Sequence, residues 1–574
     1  MTGGAIARRA LEDEGVPFAF GIPGTHNIEL YDALADSEIT RPVLVTDEQS
    51  ASFMADGVWR ATGRMACVNV VPGAGLTHAL SGIAEAFMDH VPMLVLGCGI
   101  RRDSGKAFQL HDVDQVAIVQ AVVKGTFVPQ TGQELYEAIR TACGLARSGP
   151  PGPVFVEVPA NLYLFAHRVS LPSVNGPSDP DRLSPNGALL NRAAELIRRA
   201  QRPLLYVGAG AIGAERDVVR LAELLEAPVS TTFQGKGVMP EGHPLFVWPG
   251  FGAAAPPFAR EVASSCDLTL AIGCRFSEVG TGSYGLEPPG PLIHVDIDPA
   301  ALGRNHPADI AVHADAGAFL RGLMARLGKE ARPEDSELRG AIAAGHDAVW
   351  EGWLEDVGGP GVTPAHLLRT AQATYGPDTV FTTDSGNGTF LAMECLRLER
   401  PGKYLAPVDY SCMGYAVPAA IGAKLGWPDC PVVALAGDGA FLMTGLELLT
   451  AVKERIGVVV LVLRDRELAQ IAQFQATAMN RKVASEVHDY ELRGIAQGVG
   501  AHFLELASDD RVESVLVEAG RLAEEGCPVV VEVAIDYSEK TFFTRGVVKA
   551  NLGRLPLKDQ MRFVTRALVR RVTG

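Results

Sequence analysis

The chain has 574 residues, 47% of them hydrophobic, and a formal net charge of −16 from 51 Lys and Arg against 67 Asp and Glu. That length predicts about three domains, and the acidic balance argues against nucleic acid or an anionic membrane surface as a partner. No apolar stretch reaches the ~18 residues of a membrane span, the first nine residues lack a hydrophobic signal core, and nine cysteines without CxxC spacing predict reduced, buried thiols in a cytoplasmic protein.

Three blocks follow in chain order, each alternating strand-like and helical segments. In the first, 1–170, the apolar runs Phe18-Ala19-Phe20, Val43-Leu44-Val45, Ala66-Cys67-Val68 and Met93-Leu94-Val95-Leu96 read as strands, and Val154-Phe155-Val156-Glu157-Val158 closes the set. A Pro- and Ser-rich stretch, 172–185, reads as a linker. The second block, 188–330, opens with Leu204-Leu205-Tyr206-Val207 running into Gly208-Ala209-Gly210-Ala211-Ile212-Gly213, which fits a dinucleotide fingerprint. Charged residues at 329–337 open a second linker. The third block, 361–540, contains Val432-Val433-Ala434-Leu435-Ala436, Val458-Val459-Val460-Leu461-Val462-Leu463 and Val529-Val530-Val531. The tail, 541–574, is basic in an otherwise acidic chain and reads as a lid over a site entrance. The expected fold class is α/β, with three doubly wound parallel-sheet domains.

The strand 432–436 ends in Gly437-Asp438-Gly439, and the strand 458–463 ends in Arg464-Asp465. Two carboxylates at strand ends, one flanked by glycines, are the makings of a metal–diphosphate site. Oxygen ligands suit Mg2+ when phosphates supply the remaining positions, and the glycines permit close backbone approach to a phosphate. The loop Thr383-Asp384-Ser385-Gly386-Asn387-Gly388-Thr389 has the glycines and hydroxyls of an anion-binding turn.

The spacing of 27 positions from Asp438 to Asp465 resembles the metal motif of the thiamine diphosphate (ThDP) enzymes that include acetolactate synthase, pyruvate oxidase, benzaldehyde lyase and cyclohexane-1,2-dione hydrolase. The resemblance spans nearly the whole chain. It implies that Asp438, Asp465 and the backbone carbonyl of Glu467 bind Mg2+, with Asp465 standing where the family has Asn. It implies that Gly437, Gly439, Gly386, Asn387 and Gly388 lie at the diphosphate. Ser411-Cys412-Met413-Gly414 resembles the segment that holds the aminopyrimidine through backbone groups of Ser411 and Met413, with Met413 as the wedge that forces the two cofactor rings into a V. Glu48, in Thr46-Asp47-Glu48-Gln49, matches the carboxylate that protonates the aminopyrimidine N1' and so activates the thiazolium carbon.

On the substrate side, His26 and Thr25 in Gly24-Thr25-His26 resemble benzaldehyde lyase and the diketone hydrolase, which makes His26 a candidate proton relay. Phe108 and Gln109 match a Phe-Gln pair whose Gln faces intermediates. His78 replaces a more usual Asn, and Phe474 replaces the Trp of acetolactate synthases. The resemblance also implies a central domain holding FAD, ADP or nothing, with FAD not favoured, and a homodimer or homotetramer with sites between subunits. The expected activity is acetolactate-synthase-like carboligation or decarboxylation of small carbonyl substrates such as 2-oxo acids. The alternatives are a lyase or hydrolase of acyloins or 1,2-diketones, and a catalytically weakened ThDP-binding regulatory subunit.

Overall fold

The computed structural model describes residues 1–172, 176, 183–355 and 360–573; most of the 172–185 linker falls outside them. Three six-stranded sheets, parallel throughout, follow one another along the chain. The first contains β1 (Phe18–Gly21), β2 (Arg41–Leu44), β3 (Cys67–Val70), β4 (Met93–Gly99), β5 (Thr126–Phe127) and β6 (Pro153–Pro159). The middle one contains β7 (Pro203–Val207), β8 (Val229–Thr231), β9 (Phe246–Pro249), β10 (Leu268–Ile272), β11 (Leu292–Asp296) and β12 (Ile310–His313). The third contains β13 (Val380–Thr383), β14 (Tyr404–Leu405), β15 (Val432–Gly437), β16 (Val459–Arg464), β17 (His502–Leu506) and β18 (Val529–Ala534).

The first and third sheets share one strand order, β2-β1-β3-β4-β6-β5 and β14-β13-β15-β16-β18-β17. The middle sheet runs β12-β11-β10-β7-β8-β9, the Rossmann order. Strands covered by helices on both faces are apolar runs rather than alternating ones, as β15 and β16 are. In each flavodoxin-like sheet the chain reverses direction between its first and third strands, and ligands bind at the carboxyl ends of such a switch point. Those ends carry Gly24-Thr25-His26 and Gly73 in the first domain, and Asp384 and Asp438 in the third.

The first and third domains share a core. The helix Glu48–Thr62 crosses the helix Ala416–Gly426, and Phe53 meets Tyr415 edge-on with ring centroids 5.3 Å apart. The crossing is close because two glycines sit in it. A Cβ at Gly57 would lie 2.3 Å from the Ala419 carbonyl oxygen, and one at Gly422 would lie 2.1 Å from that of Met54. A buried polar clamp reinforces this contact. Arg60 donates to Asp56 at 2.7 Å and to Asp89 at 2.9 Å, and the Tyr415 hydroxyl donates to Asp56. Asp89 in turn accepts from the Val408 and Asp409 amides, both at 3.2 Å, and Glu85 accepts from the Cys412 amide at 3.0 Å. Burial, with the Asp89 charge adding to it, pushes the Glu85 carboxyl up to about 9, while Arg60 holds Asp89 below the usual carboxylate range.

Two segments depart from the sequence reading. The expected linker after 329 is largely a helix, Ser336–Leu354, capped by Asp335, whose side chain accepts from the Leu338 amide at 3.0 Å. The charged run 329–337 extends only into its first turn, and Leu338 and Ile342 are buried in the middle-domain core. The tail forms the helices Phe542–Arg554 and Leu557–Thr573. Phe543 stacks on Phe390 with centroids 4.1 Å apart, and Asn551 and Arg554 donate to Ser283, so the first tail helix joins the middle and third domains. The second tail helix lies on the helix Ala469–Met479, where Arg570 donates to the Met479 carbonyl at 3.1 Å.

Alanine ordinarily improves a helix by about 1 kcal/mol over glycine. At Gly422 the clash reverses that sign, and Gly422→Ala should lower stability by about 1–3 kcal/mol, seen as an earlier denaturant midpoint. Glu85 keeps its proton when folded and loses it when unfolded between its ordinary value of 4.5 and about 9. Its contribution to stability is full below 4.5 and is lost as pH climbs through that window. Glu85→Gln, which cannot ionise, should flatten the alkaline decline of melting temperature; an unchanged decline would remove Glu85 as its cause.

Candidate functional site

Three loops at the carboxyl end of the third sheet are laced together. After β13, Asp384 accepts from the Tyr415 amide at 2.8 Å, and Ser385 Oγ lies 2.7 Å from Ser411 Oγ. After β15, the helix Asp438–Thr444 ends in Thr444, whose hydroxyl donates to the Gly414 carbonyl at 2.7 Å. Met413, half-buried, is thus held in a turn fixed from both sides, with Ser411 at φ 66° and Gly414 at φ 85°. Gly386 has φ 139°, a conformation that essentially only glycine adopts, and starts the helix Asn387–Cys395. Space is open where side chains at Gly386 and Gly437 would project. Gly439 serves differently: a Cβ there would lie 2.6 Å from Leu468 Cδ2, so glycine lets this helix start beneath the turn that follows β16.

Asp438 is 1% exposed. Its Oδ2 accepts from the Arg466 amide at 2.8 Å, while its Oδ1 has no partner among the described residues. Asp384 Oδ2 and Asn387 Oδ1 are likewise buried and unpartnered. Burial raises the Asp438 carboxyl, and Asp465 is pushed up to about 7 by burial and by Asp438. Unpaired buried oxygens beside a second carboxylate are expensive unless a cation meets them. The oxygen-only donor set suits a hard divalent ion. Glu467, at the next turn, is paired through its side chain with Lys482 at 2.6 Å.

The first-domain candidates lie around Glu48, which is 6% exposed at the start of its helix. Asp47 caps that helix by accepting from the Gln49 amide at 2.8 Å. His78 Nδ1 is 3.6 Å from Glu48 Oε2 and 4.0 Å from Asp47 Oδ1. A Cβ at Gly75 would lie 3.0 Å from Glu48 Oε1, so that glycine reserves room for the carboxylate. Thr46, two residues before Glu48, donates through its amide and hydroxyl to the buried Glu447 of the third domain. The histidine predicted as a relay, His26, lies 3.2 Å from Thr25 Oγ1 and meets His111 edge-on at 5.4 Å. Burial, and then His111, lower the His26 imidazole below its ordinary value.

Other expected residues are placed apart. Gln109 donates to the Arg101 carbonyl at 3.0 Å, and Phe108 is 100% exposed on the same loop. Phe474 is half-buried on the helix Ala469–Met479, the helix on which the second tail helix lies. No hydrogen bond or ion pair among the described residues joins Glu48 to Asp438, Asp465 or the 411–414 turn. Gly75 and Glu85 emerge only from the structure, and so does the role of Asp384 in fixing the 411–415 turn. For Asp384 a sequence signal existed, since it closes β13 as Asp438 follows β15.

The middle-domain fingerprint is used internally. The Gly210 amide donates to the Gly273 carbonyl at 3.0 Å, and the Gly213 amide to Glu215 at 2.6 Å. A Cβ at Gly208 would lie 2.2 Å from the Gly273 oxygen, so these glycines pack the β7 and β10 ends together.

Comparison with known proteins agrees with this architecture. Residues 1–118 match the thiamine pyrophosphate enzyme N-terminal TPP-binding domain, 190–323 the central domain and 384–533 the C-terminal TPP-binding domain. A probable acetolactate synthase large subunit of Methanocaldococcus jannaschii is 31% identical over 94% of this chain and 93% of its own length. An acetolactate synthase of Mycobacterium bovis is 30% identical over 93% of this chain and 88% of its own. The isozyme 3 large subunit of Escherichia coli is 28% identical over 94% and 96%. The chain belongs to the ThDP-dependent enzymes of the acetolactate synthase and pyruvate oxidase family.

Proposed function

We propose that the protein is a ThDP- and Mg2+-dependent carboligase or decarboxylase acting on 2-oxo acids. The observation that carries this reading is Asp438, buried with one oxygen unpartnered beside Asp465, at the end of strands laced to the Met413 turn. Asp438, Asp465 and the Glu467 carbonyl would hold the metal, and Gly386, Asn387, Gly388, Gly437 and Gly439 the diphosphate. Bound there, ThDP supplies a carbon nucleophile and an electron sink for breaking or making a C–C bond beside a carbonyl.

The chain's own residues then have distinct tasks. Met413 supports the ring pair, and the backbone at Ser411 and Met413 orients the aminopyrimidine. Glu48 holds and exchanges a proton at its carboxylate, and His78, half in solvent, gives that proton a way out. His26, favoured neutral, accepts or returns a proton at a substrate oxygen. Because no hydrogen bond or ion pair among the described residues joins Glu48 to Asp438, a second copy would complete the site, as a homodimer or homotetramer. The exposed Leu442, Met443, Leu446 and Leu449, beside the Glu447–Thr46 contact, support that apposition.

The His26–His111 pair and Phe474 favour one second reading, a lyase or hydrolase of acyloins or 1,2-diketones. A panel of 2-oxo acids, acyloins and diketones, incubated with enzyme, ThDP and Mg2+ and read by product mass, decides between them. Glu48→Gln should lose nearly all turnover on whichever substrate is active while still binding ThDP. Full turnover in that variant would refute the proton-exchange role.

A further inference from the structure

Away from the cofactor ends, a cleft opens between the middle and third domains. Trp248 comes from β9, and His346, Trp350 and Trp353 from the helix Ser336–Leu354. Arg369 lies on the helix Pro364–Tyr375, and Arg397 just after the helix that begins at Asn387. The space between them is about 20 Å³, room for one particle the size of a water or a halide and for no organic ligand.

Two buried donors lining this space have no acceptor among the described residues. Trp248 is 4% exposed, yet its Nε1 has no partner among the described residues. Arg369 Nε is also buried and unpartnered; its guanidinium sits over the Trp350 ring at 4.3 Å. Neither Arg369 nor Arg397 is in an ion pair among the described residues, and each guanidinium repels the other. The remaining charged groups at the cleft are already engaged. Lys236 is matched by Glu241 at 2.7 Å, and Glu394 accepts from Trp353 Nε1 and the Phe542 amide, both at 2.9 Å. His346 is occupied at Nε2 by the Phe246 carbonyl at 3.1 Å. Glu241 attracts Arg369 from a distance, but a water at the indole N–H would leave both guanidiniums without an ion-pair partner in a partly buried site.

We propose that this cleft binds one small monovalent anion of halide size, held by the Trp248 indole N–H and the guanidiniums of Arg369 and Arg397. The anion bridges the domains and fixes the far end of the helix that starts at the Gly386–Asn387 turn. The test is thermal unfolding of the full chain in sodium chloride or bromide against sodium gluconate at equal ionic strength, gluconate being too large for the cleft. The wild type should melt higher in chloride and bromide, with a shift that saturates. Trp248→Phe and Arg369→Met should each lose most of that shift, and Trp248→Phe keeps the test informative if the other variant does not fold. Equal melting in chloride and gluconate would overturn the proposal. So would a chloride shift that persists in the variants, which would mean an adventitious ion only.

Discussion

Asp438 is a carboxylate buried at the end of a parallel strand with one oxygen unmatched. A buried charge in that state costs several kcal/mol unless a cation approaches or it takes up a proton. Asp465 makes the cost larger, since burial and the Asp438 charge together hold its carboxyl up near 7. Two such groups side by side are poor stabilisers of a fold. They make sense as a coordination site whose partner arrives from outside, and the open backbone at Gly386 and Gly437 leaves room for an anion beside that cation.

The other parts of the third-domain site depend on where Asp438 stands. Its helix ends at Thr444, which fixes Gly414, and the 411–415 turn is fixed again by Asp384 and Ser385. From the first domain, Glu85 and Asp89 reach across to the Cys412 and Val408 amides, so the clamp that joins two domains also sets the Met413 turn. The matching strand order of the two sheets puts both sets of functional groups at carboxyl-end switch points. The middle sheet has a different strand order, and its Gly208 and Gly210 let the β7 and β10 ends pack closely.

Much of this was legible in the sequence because it was local. A continuous apolar strand running into Gly437-Asp438-Gly439 states its own geometry, and three alternating blocks state three doubly wound sheets. Glu48 was readable only through family resemblance, since a Glu at a helix start is otherwise an ordinary cap. Glu85 and Asp89 were not legible; the third-domain amides they accept from lie 319 to 327 positions away, and nothing local marks them. The helix 336–354 was hidden because the charged run 329–337 leads into it and few of its side chains are fully buried. The GxGxxG pattern is legible as close backbone approach, since a Cβ at Gly208 or Gly210 would meet Gly273, but it does not by itself name a ligand.

The most direct measurement is calorimetric titration of ThDP, with Mg2+ present, into wild type and Asp438→Asn. The substitution keeps the shape of the side chain and removes the charge the cation requires. Binding should be strong in the wild type and largely lost in Asp438→Asn, while the apo proteins melt alike or the variant melts slightly higher. Undiminished Mg2+-dependent binding in Asp438→Asn would contradict the assignment of this carboxylate as the anchor of the site.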